Sequence, residues 1–411
     1  MRRAVALRRT GRRRAARGAA TLAIVAALVL AGGAAALVAG YPLEYLRRAV
    51  TLGDADVGDL AVFPTRPIPA GGAPWAFVDA RAPGRIDALA AGAGLDAPLP
   101  VFLERTGTLA FVVAKDDRLL YEAYLNGQAR DAPVTSFSVA KSILSSLVGI
   151  AIAEGRIGSV DEPVTRHLPE LAARDPRFAS ITLRDLLDMS SGIRYVETRF
   201  LNGDDAKTYY WPDLAGLALG ATTIAGPPGE RFLYNNYHPL LIGLVLSRAT
   251  GTTVSAYASE KLWRPMGAEA DASWSLDAPG GLEKLESGFN ARAIDFARLG
   301  RLWARRGERD ARAVIPRAWL EEAGRGSPRA ASPAWSAGQP FFDAEPGRGY
   351  ARFFWVLPNP GGEPDLVAQG NHGQFVYANP SRGVVIVRHG SRWGVPPAAW
   401  YRLFRAIAAG A

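Results

Sequence analysis

The chain has 411 residues, with 48 lysines and arginines against 39 acidic residues, a formal net charge of +9 and no cysteine. Eight of the arginines lie within residues 1–17, so the rest of the chain carries 40 basic and 39 acidic residues and is nearly neutral. A neutral body argues against a nucleic-acid-binding protein, which spreads its basic excess over a docking face. Because cysteine is absent, the sequence excludes disulfides, a thiol nucleophile and thiolate-bound metal.

The basic tail, residues 1–17, precedes a charge-free apolar stretch. As a helix, residues 18–40 would extend about 34 Å, enough to cross a hydrocarbon core of about 30 Å. The flanking arginines predict a cytoplasmic N-terminus and a periplasmic or extracellular body. We therefore expect a single-pass membrane anchor. A cleaved signal peptide is the main alternative, and a buried helix of a soluble protein is a weaker one.

Residues 41–100 are rich in alanine, glycine, proline and aspartate, and they show little periodicity. We interpret them as a tether and an N-terminal extension that packs on the main domain. The main domain is expected to occupy residues 101–408.

Within the main domain, strands are predicted near both ends and helices in the middle. Alternating and apolar runs between turn residues predict strands at 109–114, 119–124, 351–356, 375–378 and 384–388. Apolar residues at helical spacing predict helices at 137–153, 183–189, 239–249, 254–262, 291–306 and 398–408. This order indicates an α/β fold, with an antiparallel sheet flanked by helices and a mostly helical subdomain. A functional site is expected in the cleft between the two parts.

Ser138 and Lys141 lie three residues apart at the start of the first predicted helix, which Thr135 or Ser136 is expected to cap. Burial and the positive end of the helix dipole both disfavour a charged lysine at that position. A neutral lysine can accept the proton of a serine hydroxyl, and backbone N–H groups at a helix start can stabilise an oxyanion. Lysine is uncommon in this chain, which has five lysines against 43 arginines. An arginine could not replace it as a base, because arginine stays protonated.

Two downstream segments offer partners for this pair. Tyr234 and Asn236, just before a predicted helix, provide a phenol for proton transfer and an amide for holding a substrate or the lysine. Taken alone, they are better explained as a buried tyrosine with a satisfied hydroxyl and an asparagine helix cap. Gly373 and Gln374 follow His372 at a strand entry, where a backbone N–H could point into a cleft. An ordinary glycine-rich strand entry is the alternative there.

The order and spacing of these motifs resemble the serine β-lactamase and penicillin-binding-protein superfamily. The chain is most similar to the class C β-lactamase-related serine hydrolases, a family that includes 6-aminohexanoate-dimer hydrolase, D-aminopeptidases and esterases. Supporting segments extend the resemblance over about residues 100–405; they lie at 161–164, 167–171, 186–193 and 287–290.

The resemblance implies a β-lactamase-like fold and a role for each motif residue. Ser138 would be the acylated nucleophile, Lys141 its general base and Tyr234 the proton shuttle. Asn236 would contact the lysine and the substrate. The backbone N–H groups of Ser138 and Gln374 would form the oxyanion hole, and His372 and Gly373 would line the substrate site or pack in the strand.

One departure from the family pattern concerns the substrate. The family's Lys-Thr-Gly is matched to residues 371–373, which read Asn-His-Gly, so the cation that binds a β-lactam carboxylate is missing. We therefore expect an amide or ester substrate, small or peptide-like, instead of a classical β-lactam antibiotic.

Several other classes of protein find little support in the sequence. A Gly-x-Ser-x-Gly elbow, a zinc-binding His-Glu-x-x-His and nucleotide-binding glycine motifs do not occur, so we expect no metal or other cofactor. A membrane-tethered, non-catalytic protein that binds peptides or cell-wall fragments on the same fold remains the alternative function.

Overall fold

The structure is a computed structural model that describes residues 40–198, 201–343 and 345–411. The predicted basic tail and nearly all of the predicted membrane segment lie outside these ranges. No helix within the described ranges is long and apolar enough to span a membrane. The chain divides into two compact units, Met1–Gly53 and Asp54–Ala411. In the first unit, the structure describes the helix Leu43–Leu52.

The second unit contains both strands and helices. The described strands are β1 (Thr65–Ile68), β2 (Val78–Asp79), β3 (Thr108–Lys115), β4 (Arg118–Tyr124), β5 (Val134–Thr135), β6 (Ala272–Ser275), β7 (Phe289–Ala291), β8 (Glu308–Arg309), β9 (Arg312–Ala313), β10 (Gly349–Ala351), β11 (Phe354–Leu357), β12 (Asp365–Gly370), β13 (Gln374–Asn379) and β14 (Val384–Gly390). The described α-helices are Pro83–Ala91, Leu99–Arg105, Val139–Ala153, Pro169–Arg174, Leu183–Leu187, Asp204–Tyr210, Leu214–Ala221, Tyr237–Thr250, Val254–Ala258, Arg264–Met266, Ala293–Ala304, Arg317–Gly324, Pro333–Ser336, Pro340–Asp343 and Pro397–Gly410.

An eight-stranded sheet forms the centre of this unit. Its order is β10-β11-β12-β13-β14-β3-β4-β2, and all neighbours are antiparallel except β2 and β4. The two ends of the predicted main domain therefore meet where β14 pairs with β3, in the register Ile386 to Val113. This confirms that the sheet is assembled from distant segments. A second sheet has the order β1-β6-β7-β5.

Helices cover both faces of the large sheet. On one face, the C-terminal helix places Phe404 against the rings of Phe111 and Phe375. On the other face, the helix Ala293–Ala304 approaches so closely that a Cβ atom at Gly300 would lie 2.5 Å from a methyl carbon of Val385. Glycine at this position therefore permits direct packing of the helix backbone on the sheet.

The predicted single strand at 351–356 is in fact a tight hairpin of β10 and β11. Arg352 and Phe353 form the turn with φ angles of 52° and 61°. The turn is fixed from the helical part of the molecule, because Phe353 N donates to Leu187 O and Phe353 O accepts a bond from Ser142 Oγ. The predicted strand is thus interrupted by contacts with residues far along the chain, which a local sequence pattern cannot reveal.

The segment before the main domain has more regular structure than its composition predicted. Strand β1 pairs with β6, with Pro67 opposite Ser273, and β2 adds to the edge of the large sheet beside β4. Residues 54–100 thus belong to the same compact unit as the main domain. The predicted extension thus contains ordered strands, because pairing with distant strands gives these residues the order that local periodicity lacks.

Candidate active site

Ser138 is the residue that precedes the helix Val139–Ala153, so the helix starts later than the predicted cap at Thr135 or Ser136. The start is fixed by Phe137, whose φ of 44° lies in the left-handed region. For a bulky residue this conformation costs about 1–2 kcal/mol, and it is held in place where Ser136 N donates to Phe289 O at 2.8 Å. The strained residue turns the chain sharply into the helix and presents Ser138 at the tip of the turn.

Lys141 lies one helical turn beyond Ser138, as the sequence predicted. Its Nζ atom is 2.8 Å from Ser138 Oγ and donates a second hydrogen bond of 2.9 Å to the carbonyl oxygen of Glu286. The lysine side chain is only 1% exposed. Because both atoms of the pair are held by one rigid helix, their contact needs little further ordering.

Burial lowers the pKa of Lys141 from its ordinary value to about 7, although Glu286 and Glu197 act in the opposite direction. A pKa near 7 means that a substantial fraction of the lysine is neutral at physiological pH. A neutral amine so close to a serine hydroxyl can accept its proton, which activates the serine as a nucleophile.

Tyr234 completes a cluster with this pair. The Lys141 Nζ atom lies 4.9 Å from the centre of the Tyr234 ring. The ring stacks on Trp355 with an angle of 7° between the two planes. Burial raises the pKa of Tyr234, and a hydrogen bond with the Ser138 side chain partly offsets this effect. The phenol therefore stays protonated at neutral pH and is suited to relaying a proton, while the lysine is the better base.

Asn236 begins the next helix, Tyr237–Thr250. Its Nδ2 atom donates a 2.9 Å hydrogen bond to the hydroxyl of Tyr195. Its Oδ1 atom is buried and has no hydrogen-bond partner among the residues that the structure describes. A buried carbonyl oxygen without a donor is an acceptor available to a bound molecule.

The strand side of the site differs from the prediction. Gln374, expected to offer its backbone N–H to an oxyanion, instead donates that N–H to the carbonyl oxygen of Asn371 within a tight turn. Its side chain points into the core, where it bonds to Gly390 and His389. Both the backbone donor and the side chain of Gln374 are thus already used within the protein, which argues against its predicted role as an oxyanion donor.

Gly370, at the end of β12, is the residue that approaches Ser138. A Cβ atom on Gly370 would lie 2.4 Å from Ser136 O and 3.0 Å from Ser138 N. The equivalent atom on Gly373 would instead meet the Arg388 guanidinium, at 2.1 Å. The residue of the strand end that borders the serine is thus Gly370, three positions before Gly373.

His372 lies beside the site and is held by protein contacts. Its Nε2 atom is 2.7 Å from the carbonyl oxygen of Ala55, and its ring centre is 5.2 Å from that of Phe137. Of the two alternatives for His372, these contacts favour packing over substrate binding.

A serine and a histidine also form a hydrogen bond in the core. His238 Nε2 lies 2.7 Å from Ser191 Oγ, and burial lowers the pKa of His238 to about 3. Both residues are almost completely buried, so a substrate has no access to this serine. The pair therefore has a structural role. No group of three or more acidic or histidine side chains within the described ranges is arranged to hold a metal ion.

Three features of the site were not predicted from the sequence: the left-handed conformation of Phe137, the close approach of Gly370 and the buried pair of Lys284 and Glu286. The left-handed conformation of Phe137 and the approach of Gly370 depend on tertiary packing and leave no local pattern. Lys284 carried a usable signal, because it is one of only five lysines and lies just before the supporting segment at 287–290.

Comparisons with known proteins identify the family of the chain. Residues 101–409 match the Beta-lactamase family. The 6-aminohexanoate-dimer hydrolase of Paenarthrobacter ureafaciens is 30% identical over 304 residues, which cover 72% of this chain and 75% of that protein.

Two solved structures have the same fold. A Bacillus anthracis protein with the provisional name 6-aminohexanoate-dimer hydrolase superposes with a TM-score of 0.71 at 22% identity, covering 84% of this chain and 90% of that one. A D-stereospecific amidohydrolase from Streptomyces sp. gives a TM-score of 0.54 at 17% identity, covering 79% and 98%. The predicted family is confirmed: the chain belongs to the β-lactamase family, within the superfamily of serine hydrolases and penicillin-binding proteins.

Proposed function

We propose that the protein is a serine hydrolase that cleaves an amide bond through an acyl-enzyme on Ser138. The observation that carries the proposal is the 2.8 Å contact between Ser138 Oγ and the buried Lys141 Nζ, whose pKa is lowered to about 7. A serine is a poor nucleophile at neutral pH unless an adjacent base accepts its proton, and a neutral lysine at hydrogen-bond distance meets that need.

Acylation follows from the positions of the three side chains. Neutral Lys141 accepts the hydroxyl proton as Ser138 Oγ forms a bond to the substrate carbonyl carbon. When the tetrahedral intermediate collapses, the carbon–nitrogen bond breaks and the leaving amine takes a proton from the Tyr234 phenol. Tyr234 recovers a proton from the Lys141 ammonium, whose Nζ lies 4.9 Å from the ring centre. Attack by water on the ester, with proton transfers in the reverse sense, then releases the acid and Ser138.

The negative oxygen of the intermediate requires hydrogen-bond donors. The first turn of the helix uses the N–H groups of Val139, Ala140 and Lys141, which donate to the carbonyl oxygens of residues 136–138. We assign the Ser138 N–H as one oxyanion donor and the backbone at Gly370–Asn371 as the source of the second, because Gly370 lies against Ser138 N. Two such donors contribute a large part of catalysis in acyl transfer.

Similarity and charge support the substrate class that we propose. A 6-aminohexanoate dimer is a linear amide, and the relative that carries this name covers most of the chain. The segment that borders Ser138, residues 368–370, reads Ala-Gln-Gly, so it offers no lysine for a β-lactam carboxylate, as residues 371–373 offer none. We therefore propose linear amides as substrates, with activated esters as convenient probes.

The decisive experiment compares wild type with Ser138→Ala on a 6-aminohexanoate dimer and on short-chain nitrophenyl esters. We expect kcat/KM to fall by roughly 10⁴-fold or more, together with loss of fluorophosphonate labelling at that serine. Ser142→Ala is the matched control, because Ser142 lies in the same helix and its hydroxyl is occupied by Phe353 O. Equal turnover in wild type and Ser138→Ala would refute the assignment.

Membrane attachment remains a proposal based on residues 1–40 alone. We propose that this segment anchors the hydrolase with its body outside the cytoplasm, because eight arginines precede a charge-free stretch of membrane-spanning length. Protease added to intact spheroplasts should digest the body. Full protection that is lost only on lysis would show that the body lies in the cytoplasm.

A further inference from the structure

A second buried lysine, Lys284, is linked to the proposed catalytic pair through Glu286. Lys284 and Glu286 are each about 1% exposed, and their Nζ and Oε1 atoms are 3.3 Å apart. Buried charges of this kind are costly unless they are paired and hydrogen-bonded. Apolar side chains at these two positions would avoid this desolvation cost. The presence of a buried ion pair beside the site therefore needs a physical explanation.

Glu286 is connected to the proposed base in two ways. Its carbonyl oxygen accepts a 2.9 Å hydrogen bond from Lys141 Nζ, and its negative charge raises the pKa of Lys141 against the effect of burial. An uncompensated carboxylate at this position would hold the lysine in its protonated form. A protonated lysine cannot accept the proton of Ser138.

Lys284 is held in a fixed position next to that carboxylate. Its Nζ atom donates to the carbonyl oxygen of Tyr209 and lies 3.9 Å from the centre of the Tyr209 ring and 4.5 Å from that of Phe63. Aromatic faces attract a cation, and this attraction is strongest where water is excluded. The Tyr209 hydroxyl donates in turn to Asp59 at 2.8 Å, which fixes the ring.

The Glu286 carboxylate has few other partners. Its Oε1 atom accepts a 2.7 Å hydrogen bond from the hydroxyl of Ser287. Its Oε2 atom is buried without a hydrogen-bond partner among the described residues. Lys284 is thus the cation that the structure places on this carboxylate.

Other titratable groups also face Lys141, each from a different segment. Glu197, before the helix Asp204–Tyr210, raises the pKa of the lysine, and burial raises the pKa of Glu197 itself. His238, in the helix Tyr237–Thr250, is neutral near pH 7, because burial lowers its pKa to about 3. Tyr234 is likewise neutral. Within this set, Glu286 is the group whose charge is directly offset by a buried cation.

We propose that Lys284 is a positioning residue that holds and neutralises the Glu286 carboxylate, so that Lys141 can lose its proton at neutral pH. The inference rests on the proposed function, since it takes Lys141 as the base. It assigns Lys284 and Glu286 no contact with the substrate.

The test is the pH profile of kcat/KM for nitrophenyl ester hydrolysis by the full-length chain and its variants. Lys284→Met removes the cation that is paired with the Glu286 carboxylate, so the midpoint of the acidic limb should rise by about one pH unit. At pH values below the midpoint, kcat/KM should therefore be roughly tenfold lower than in wild type. Glu286→Gln removes the negative charge and leaves Lys284, so its midpoint should fall. The double variant should lie between the two single variants.

Controls separate this inference from the proposed function and from misfolding. Lys261→Met removes a partly exposed lysine paired with Glu154 and Glu260, and it should keep the wild-type midpoint. If Lys284→Met does not fold, two other comparisons still test the proposal. The midpoint should fall from wild type to Glu286→Gln, and it should rise from Glu286→Gln to the double variant. Lower plateau rates with an unmoved midpoint, or shifts of the same sign in both single variants, would overturn it. Turnover by Lys141→Met would overturn the proposed function instead.

Discussion

The two sides of the candidate site are built by different kinds of interaction. On the helix side, Ser138 and Lys141 belong to one turn, and their spacing alone brings Nζ within 2.8 Å of Oγ. On the strand side, Gly370 reaches Ser138 only because β12 occupies its place in an eight-stranded sheet. A short-range pattern determines the first arrangement, whereas the pairing of strands from both ends of the domain determines the second.

This difference also separates chemistry from shape. In the proposed mechanism the helix side supplies the groups that gain and lose protons, so its substitutions should change the chemical step and its pH dependence. The strand side supplies backbone and space, so its substitutions should act through fit and position. The predictions below test that division, beginning with the largest expected effect.

After Ser138→Ala, the largest effect is expected for Lys141→Arg, on the helix side. Arginine keeps the positive charge but stays protonated at all accessible pH values, so it cannot accept the Ser138 proton. We expect kcat/KM for an activated ester to fall by roughly 10³-fold or more, as far as in Lys141→Ala. Circular dichroism would confirm that both variants are folded. An active arginine variant would mean that the site needs a charge and that the base lies elsewhere.

The next largest effect is expected for Gly370→Ala, on the strand side. The added methyl group would lie 2.4 Å from Ser136 O and 3.0 Å from Phe137 Cβ, so the strained turn that carries Ser138 must shift. Misplacement of the reacting groups by about 1 Å costs around 10²-fold in rate, and we expect a loss of that size. Gly226→Ala, which has open space around the added methyl group, is the matched control and should stay near wild type.

The sequence was informative wherever local spacing decides the structure. It predicted the helix that carries Ser138 and Lys141, the hairpin of β3 and β4, and the C-terminal helix, because each has its own apolar period. The family resemblance, carried by motifs at 138–141 and 234–236, was confirmed by the match over residues 101–409. Tyr234 was predicted from the order and spacing of the family motifs, and its ring lies beside Lys141 in the structure.

Long-range packing accounts for what the sequence did not predict. Gln374 was placed in the site because its glycine-rich surroundings resemble a strand entry, but the turn at 371–373 directs its groups inward. The break at Arg352–Phe353 and the pairing of β1 with β6 depend on partners far along the chain. Side-chain periodicity within one segment contains no information on such partners.

The pH dependence of the rate should also differ between the two sides of the site. Only neutral Lys141 is a base, so kcat/KM should rise with pH through the folded-state pKa of about 7, and below it the rate should fall tenfold per pH unit. Since proton transfer belongs to the helix side, residual activity in Gly370→Ala should show the same midpoint. A midpoint near 4 would instead indicate a carboxylate base.

The smallest effect is expected for His372→Ala, on the strand side. The imidazole is engaged by the carbonyl oxygen of Ala55 at 2.7 Å and by the ring of Phe137, so its removal loosens the support behind the strained turn without removing a reacting group. We expect kcat/KM to fall less than about tenfold and Tm to fall by a few degrees, which corresponds to about 1 kcal/mol for one lost hydrogen bond. His372→Gln, which can keep a donor toward Ala55, should recover much of the loss in Tm. A loss of 10²-fold or more in kcat/KM at unchanged Tm would place His372 in contact with the substrate, and the strand side would then contribute chemistry as well as shape.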